Sequence, residues 1–299
     1  MAESETPEGA VVVGLDRFAP AQVALDAAAD EAARRRVGLH IVYAYPWLAR
    51  ARTWDFQPPR EELEAGEHLL RGAAERAGAA HPGLAVTTRV IVLDPAAALV
   101  DASAIAAVVV VGAGGQDAPA GHLGSVAQKV VAHAHGPVVV VRNAPPHPDG
   151  PVVVGMDPDD GASEAIEYAF EEAVRRGVGV TVVQGIQVEG ARRAWDDRAV
   201  QRRLDEVLTR AEQETRTRLG QWRSRFPEVP TRLEQTRDHP VDALVRAAAS
   251  AGIVVVGSRG RGDLVGLLVG SVSRGVLHRA PVVAVVRTHR PRARPAPER

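Results

Sequence analysis

The chain repeats itself, and that constrains its fold more than any other feature. The hexapeptide VVVGLD at Val11–Asp16 returns as VVVGMD at Val152–Asp157, so one supersecondary plan is built twice. The correspondence continues through ALDAAADEAARRRVG and AIEYAFEEAVRRGVG, both with the apolar spacing of a helix and both stopped by glycine, and then through LHIVYAY and VTVVQGI. Each half therefore opens strand, helix, strand. After a longer charged helix, VTTRVIVLDPAAALVDASA and TRLEQTRDHPVDALVRAAAS read as a strand yielding to a helix that proline initiates. A valine-rich strand, a glycine-rich loop, a helix from Ser125 or Ser271 and a last strand after Pro137 or Pro281 close each half. These signals place a first domain at residues 10–142 and a second at 151–287, with a stiff proline-rich linker at 143–150. Residues 1–9 and the basic tail 288–299 read as disordered.

A chain of 299 residues exceeds the usual size of one domain, in keeping with the repeat. With a net charge of −1 nothing suggests a general attraction to nucleic acid or to an anionic membrane, so any polyanion must be held locally. Absence of cysteine excludes disulfides, thiolate nucleophiles and thiolate metal sites. The acidic start MAESETPEG lacks the order of a signal peptide, which points to the cytoplasm. Apolar runs such as Val108–Val111 and Val138–Val141 fall far short of the roughly 20 residues that span a bilayer and suit buried parallel strands.

Strands alternating with helices imply right-handed crossovers and an open parallel α/β sheet in each half, covered on both faces. Ligands of such sheets bind beyond the carboxyl ends of the strands, where strand order reverses. Asp16 or Asp157 and the glycine loop of the same half would emerge there. The segment GSRGRGDLVGLLVGS, Gly257–Ser271, combines glycines that let backbone amides approach a ligand with a helix start whose first amides lack internal partners. Such a site suits a phosphate chain, and Arg259 and Arg261 can add charge-assisted contacts. Neither half carries the GK[ST] ending of a P-loop or a GxGxxG run opening directly into a helix.

The spacing is instead GxxG, nine residues, then GS, at Gly257, Gly260, Gly270 and Ser271. With the closing segment GSVSRGVLHRAPVVAVV, the first-strand VGxD, DPAAAL at Asp94–Leu99 and its counterpart HPVDAL, the chain resembles the universal stress protein family, as a tandem pair of its ATP-binding subgroup. The resemblance implies a Rossmann-like five-stranded sheet of order 3-2-1-4-5 per half, binding ATP or a related adenine nucleotide, with Mg2+ left open. It places Asp157 beside the adenosine, Gly155 and Met156 along its approach and Gly185 against the adenine. Gly257, Arg259, Gly260, Gly270, Ser271, Val272 and Ser273 would surround the phosphates. The corresponding residues of the first half are Gly14, Asp16, Ala44, Gly112, Gly115, Gly124 and Ser125. The resemblance also implies that the last strands of the two halves meet, as an intramolecular pseudo-dimer, with a homodimer left open.

The first half departs from this pattern. Eight residues rather than nine separate Gly115 from Gly124, and the loop carries Gln116 and Asp117 in place of the arginines. A carboxylate near phosphates costs affinity, so the first site is expected to be the weaker. His133, His135 and His278 read as helix-end residues rather than metal ligands. The helix Asp196–Phe226 reads as an amphipathic cover with Leu204, Val207, Leu208, Ala211 and Leu219 along its stripe, and Trp47, Trp54, Trp195 and Trp222 as packing or interface residues. Three function classes follow: a nucleotide-binding stress regulator with an unidentified protein partner, which the residues favour; a slow ATPase, for which no water-orienting residue or Walker-type Asp is placed; and an interaction module without ligand.

Overall fold

The structure is a computed structural model and describes residues 6–17, 20–46, 59–114, 122–156, 163–186, 198–258 and 269–287. The first half runs β1 (Val11–Leu15), α1 (Pro20–Arg35), β2 (Leu39–Ala44), α2 (Arg60–Ala80), β3 (Val86–Ile91), α3 (Pro95–Ala102), β4 (Val108–Gly112), α4 (Ser125–His133) and β5 (Val138–Val141). The second repeats the order as β6 (Val152–Gly155), α5 (Ser163–Arg176), β7 (Val180–Gly185), α6 (Arg198–Arg225), β8 (Thr231–Thr236), α7 (Pro240–Ala248), β9 (Ile253–Gly257), α8 (Ser271–Leu277) and β10 (Val282–Val286).

Valine fills the central strands because both faces of the sheet are covered. Val108 and Val110 enter the apolar layer that also holds Leu25 of α1 and Phe170 of α5, while Val109 and Val111 enter the layer with Leu99 of α3 and Leu244 of α7. Each half has the expected order 3-2-1-4-5, and the two sheets join into one of ten strands, β3-β2-β1-β4-β5-β10-β9-β6-β7-β8. Within each half every pairing is parallel. At the seam β5 and β10 pair antiparallel, Val141 opposite Val282 and Val138 opposite Val285. The final strands thus cover each other's edges, which would otherwise present unpaired backbone groups. Because the seam is antiparallel, the strands of the two halves point opposite ways, and so do their carboxyl ends.

Local chemistry explains the helix boundaries. α1 ends where Arg36 takes φ 56°, and α5 ends at Gly177 with φ 66°. The first stop is therefore an arginine in the left-handed region rather than the glycine two residues on, which the sequence had pointed to. α3 begins at a proline whose preceding Asp94 accepts hydrogen bonds from the amides of Ala96 at 3.0 Å and Ala97 at 3.1 Å. In α7 the ring Nδ1 of His239 accepts from Val241 N at 3.2 Å. DPAAAL and HPVDAL are thus N-caps followed by proline at the first helical position.

The layer that holds α1 and α5 contains a charged cluster where the halves meet. Glu31 and Arg35 of α1 correspond in the repeat to Glu172 and Arg176 of α5. Arg35 Nε donates to Glu31 Oε1 at 2.5 Å and its Nη2 lies 3.4 Å from Glu172 Oε2. Arg176 Nε donates to Glu172 Oε1 at 2.5 Å and its Nη2 lies 3.5 Å from Glu31 Oε2. Arg35 Nη2 also donates to the hydroxyl of Tyr168 at 3.0 Å. The Glu172 side chain is 0% exposed, and burial by itself would raise its carboxyl pKa; Arg176, Arg35 and Arg175 overcome this and hold it at about 2.

α6 lies against β8; its Thr215, Leu219 and Trp222 are buried, Thr215 accepts from Gln184 Nε2 of β7 at 3.0 Å, and Trp222 stacks on Phe170. The expected stripe does not continue to the start of the helix: Val207 is 44% exposed, among exposed charges at Arg203, Asp205 and Glu206. His133 Nδ1 bonds the Lys129 carbonyl one turn back at 2.9 Å. Trp47, Trp54 and Trp195 lie outside the described residues. Among the described residues no helix is long and apolar enough to cross a membrane.

Candidate functional site

Beyond the carboxyl ends of β1, β2 and β4 lies a cavity of about 470 Å³. Gly14 and Asp16 line it from β1, Ala44 from β2, Gly112 from β4, and Gly124 and Ser125 from the start of α4. The crevice at the strand-order reversal is where the sequence directed attention, and six of the seven first-half residues meet there. The seventh, Gly115, lies outside the described residues, as do Gln116 and Asp117.

The end of the cavity at the start of α4 is built from backbone. Gly124 N donates to Ala113 O at 2.8 Å and closes the base of the glycine loop. The helix then starts from Gly124 at φ −64°, ψ 155°. Its first ladder bond is Gln128 N to Gly124 O, so the amides of Ser125, Val126 and Ala127 precede any intrahelical acceptor. The second half repeats these devices. Gly270 N donates to Ser258 O at 2.9 Å, the helix starts from Gly270 at φ −65°, ψ 158°, and Arg274 N bonds Gly270 O. Gly257, Gly270, Ser271 and Val272 therefore stand in the same relation to one another as their first-half counterparts. Ser273 is buried, and its hydroxyl donates to Gly257 O at 2.5 Å; it pins α8 to the end of β9. Asp157, Arg259, Gly260 and Arg261 lie outside the described residues.

Three site glycines have packing reasons of their own. A Cβ on Gly14 would stand 2.6 Å from Leu99 Cδ1, and one on Gly155, just before the buried Met156, 3.0 Å from Leu244 Cδ1. The VGxD glycine thus lets the third helix of each half close on the first strand. A Cβ on Gly185 would meet backbone, with Pro240 Cα at 2.7 Å and Asp238 O at 2.9 Å. Because backbone cannot turn aside as a side chain can, Gly185→Ala is expected to lower the unfolding free energy by about 1–3 kcal/mol. Chemical denaturation checks this, and an unchanged midpoint would show that α7 shifts freely.

The cavity also holds residues that sequence reasoning missed. Arg17 lines it directly after Asp16, and its guanidinium pairs with Glu62 of α2 and donates to the Tyr43 hydroxyl at 3.4 Å. Tyr45 and Leu99 complete the walls. One signal was available: the residue after the VGxD aspartate is basic in the first half and Pro158 in the second. The Glu62 partnership had none, because the two are 45 residues apart. Among the described residues no group of three or more His, Asp or Glu side chains could hold a metal ion.

A duplicated parallel α/β sheet, with a glycine loop and a helix start at the strand-order reversal of each half, defines a tandem protein of the Rossmann-like class. The chain belongs to the universal stress protein family, which matches residues 9–142 and 150–287. A universal stress protein of Mycobacterium bovis is 34% identical over 292 residues, covering 92% of this chain and 96% of the relative. One of Mycobacterium tuberculosis is 36% identical over 293 residues, covering 91% and 95%. Among solved structures, a universal stress protein from Archaeoglobus fulgidus superposes with a TM-score of 0.63 at 19% identity, covering 93% of this chain and 98% of that one. At that identity the likeness speaks to the fold.

Proposed function

We propose that the protein binds ATP or a related adenine nucleotide in each half and that occupancy regulates a stress response through a protein partner. The observation that carries this reading is the first cavity, where a volume of about 470 Å³ is bordered by the loop base at Gly124 and by the first helical residues Ser125, Val126 and Ala127, whose amides precede any intrahelical acceptor. Amides and helix dipole favour phosphate there, Asp16 can accept from an amino group or a sugar hydroxyl, and Ala44 and Tyr45 border the opposite end. In the second half Asp157, Gly155 and Gly185 take the adenosine side, and Gly257, Arg259, Gly260, Gly270 and Ser271 the phosphates. Mg2+, where it takes part, comes with the phosphates.

Calorimetric titration with ATP, with phosphate release followed at excess ATP, tests the reading. Binding is expected without turnover approaching roughly 1 s⁻¹, the range of ordinary enzymes, because no recognisable motif in the sequence places a general base or water-orienting residue. Gly270→Val is expected to remove the binding of the second half while the far-UV spectrum is kept, since a side chain there would stand on the phosphate path. Absence of any ATP binding to the intact protein would leave an interaction module as the function; ordinary turnover would make it an enzyme.

A further inference from the structure

Each seam strand ends in an arginine that reaches into the opposite half. Arg142 follows β5, and its Nη2 donates to the carbonyl of Leu277, the last residue of α8, at 2.9 Å. Its Nη1 lies 3.4 Å from the His122 carbonyl, in the segment that leads into α4. His122 in turn meets His278, just past α8, edge to face at 6.1 Å between ring centroids. In the other direction Arg287 follows β10, and its Nη2 donates at 2.5 Å to the carbonyl of Ala132 in the last turn of α4. A cation on a helix's last carbonyls is favourably placed, and here the cation always comes from the other half.

Both arginines also stand at the base of their own glycine loop. Val141 O, the neighbour of Arg142, accepts from Ala113 N at 2.8 Å, and Val286 O, the neighbour of Arg287, accepts from Ser258 N at 2.7 Å. Ala113 and Ser258 are the residues whose carbonyls close the two loops onto Gly124 and Gly270. α8 is a rod of about 10 Å that starts beside the end of β9, where Gly270 N bonds Ser258 O, and whose last carbonyl is held by Arg142 at the end of β5. α4 makes the reciprocal connection. The two crevices open at opposite ends of the strands, so each closing helix runs from its own crevice towards the base of the other.

We propose that the nucleotide sites of the two halves are coupled across the seam, with Arg142 as the positioning residue that ties the loop base of the first half to the closing helix of the second, and Arg287 as its counterpart. The proposal rests on the nucleotide reading given above and names the regulation of those sites. Ligand at one crevice fixes the first turn of its helix. The fixed helix presents its last carbonyl to the arginine at the other loop base, so the second ligand has less ordering left to impose. The coupling is therefore positive, and by linkage it is the same in both directions.

The test uses the full chain and ATP. Ser125→Asp and Ser271→Asp isolate the second and the first site, and calorimetry gives each single-site affinity. The wild-type isotherm should exceed the sum of the two single-site curves, with the second event tightened by about fivefold or more. Arg142→Gln, made in the wild-type and in both single-site backgrounds, should return the isotherm to that sum, and Arg142→Lys, which keeps one donor, should restore part of the excess. An additive wild-type isotherm, or an excess that persists in Arg142→Gln, overturns the proposal. Hydrogen exchange without nucleotide supplies a second reading: Arg142→Gln should speed exchange in residues 122–128 and 277–280 together, and a change confined to one segment overturns the brace. ATP binding to none of these proteins would overturn the nucleotide reading, whereas binding at both sites with additive curves would overturn the coupling alone.

Discussion

Glu172→Ala is expected to remove about 3–5 kcal/mol of unfolding free energy, because it takes one partner out of a buried ion cluster and leaves the others uncompensated. The carboxylate is 0% exposed and bonds Arg176 Nε at 2.5 Å and Arg175 Nε at 3.1 Å, with Arg35 at 3.4 Å. Glu31 remains as the sole acid of the quartet, already bonded to Arg35. Urea unfolding followed by circular dichroism measures the loss, and a loss below about 1 kcal/mol would mean that water enters the seam and solvates the arginines. The same group sets an acid limit. Its folded pKa of about 2 lies below the ordinary 4.5, so its contribution is complete above pH 4.5 and is lost as pH falls towards 2. The depression corresponds to about 3 kcal/mol. In Glu172→Ala that part of the acid limb should be missing, leaving a shallower decline of stability between these pH values.

Ser271→Asp should weaken the tighter ATP-binding event about 100-fold or more. The new carboxylate would stand at the first helical residue, where the proposed phosphates lie. Unit charges of like sign about 4 Å apart near a protein surface repel by about 4 kcal/mol, and 100-fold is about 2.7 kcal/mol. Ser125→Asp should leave most of the tight event intact. The second half has Arg259 and Arg261 in its loop, while the first has Asp117 and a loop one residue shorter, and Arg17, the one cation that lines the first cavity among the described residues, is already paired with Glu62. Calorimetry on both variants decides the ranking. Loss of the tight event in the Ser125 variant alone would reverse it.

The architecture was legible because its signals are local and repeated. Valine runs announce strands covered on both faces, and the DPAAAL proline and its N-cap mark a helix start within a few residues. Strand order came from the family resemblance. The seam strands were expected to meet, and they do, as Val141 opposite Val282 shows. What stayed hidden depends on contacts between distant segments. Glu172 and Arg176 look like any i,i+4 pair on an exposed helix face; only the approach of α1 to α5 buries them. Gly14 reads as room for a ligand, whereas its nearest demand is Leu99, 85 residues on. Ser273 reads as a phosphate-facing hydroxyl, and nothing in the sequence announces its bond to Gly257 O. Arg36 carries no glycine to announce a left-handed turn, and only the backbone reveals that it makes one.

The charged quartet at the seam has a historical consequence. Each half contributes the same glutamate and the same arginine at matching positions, so a single ancestral half could have assembled this cluster with a second copy of itself. Two separate copies associate in proportion to their concentration, and any change in one is imposed on both. Fusion into one chain holds the partners together at every dilution and lets each copy mutate alone. The shortened first loop with Asp117 and the arginine-bearing second loop are differences that a symmetric pair could not have accumulated, while the quartet has kept the common ancestry visible.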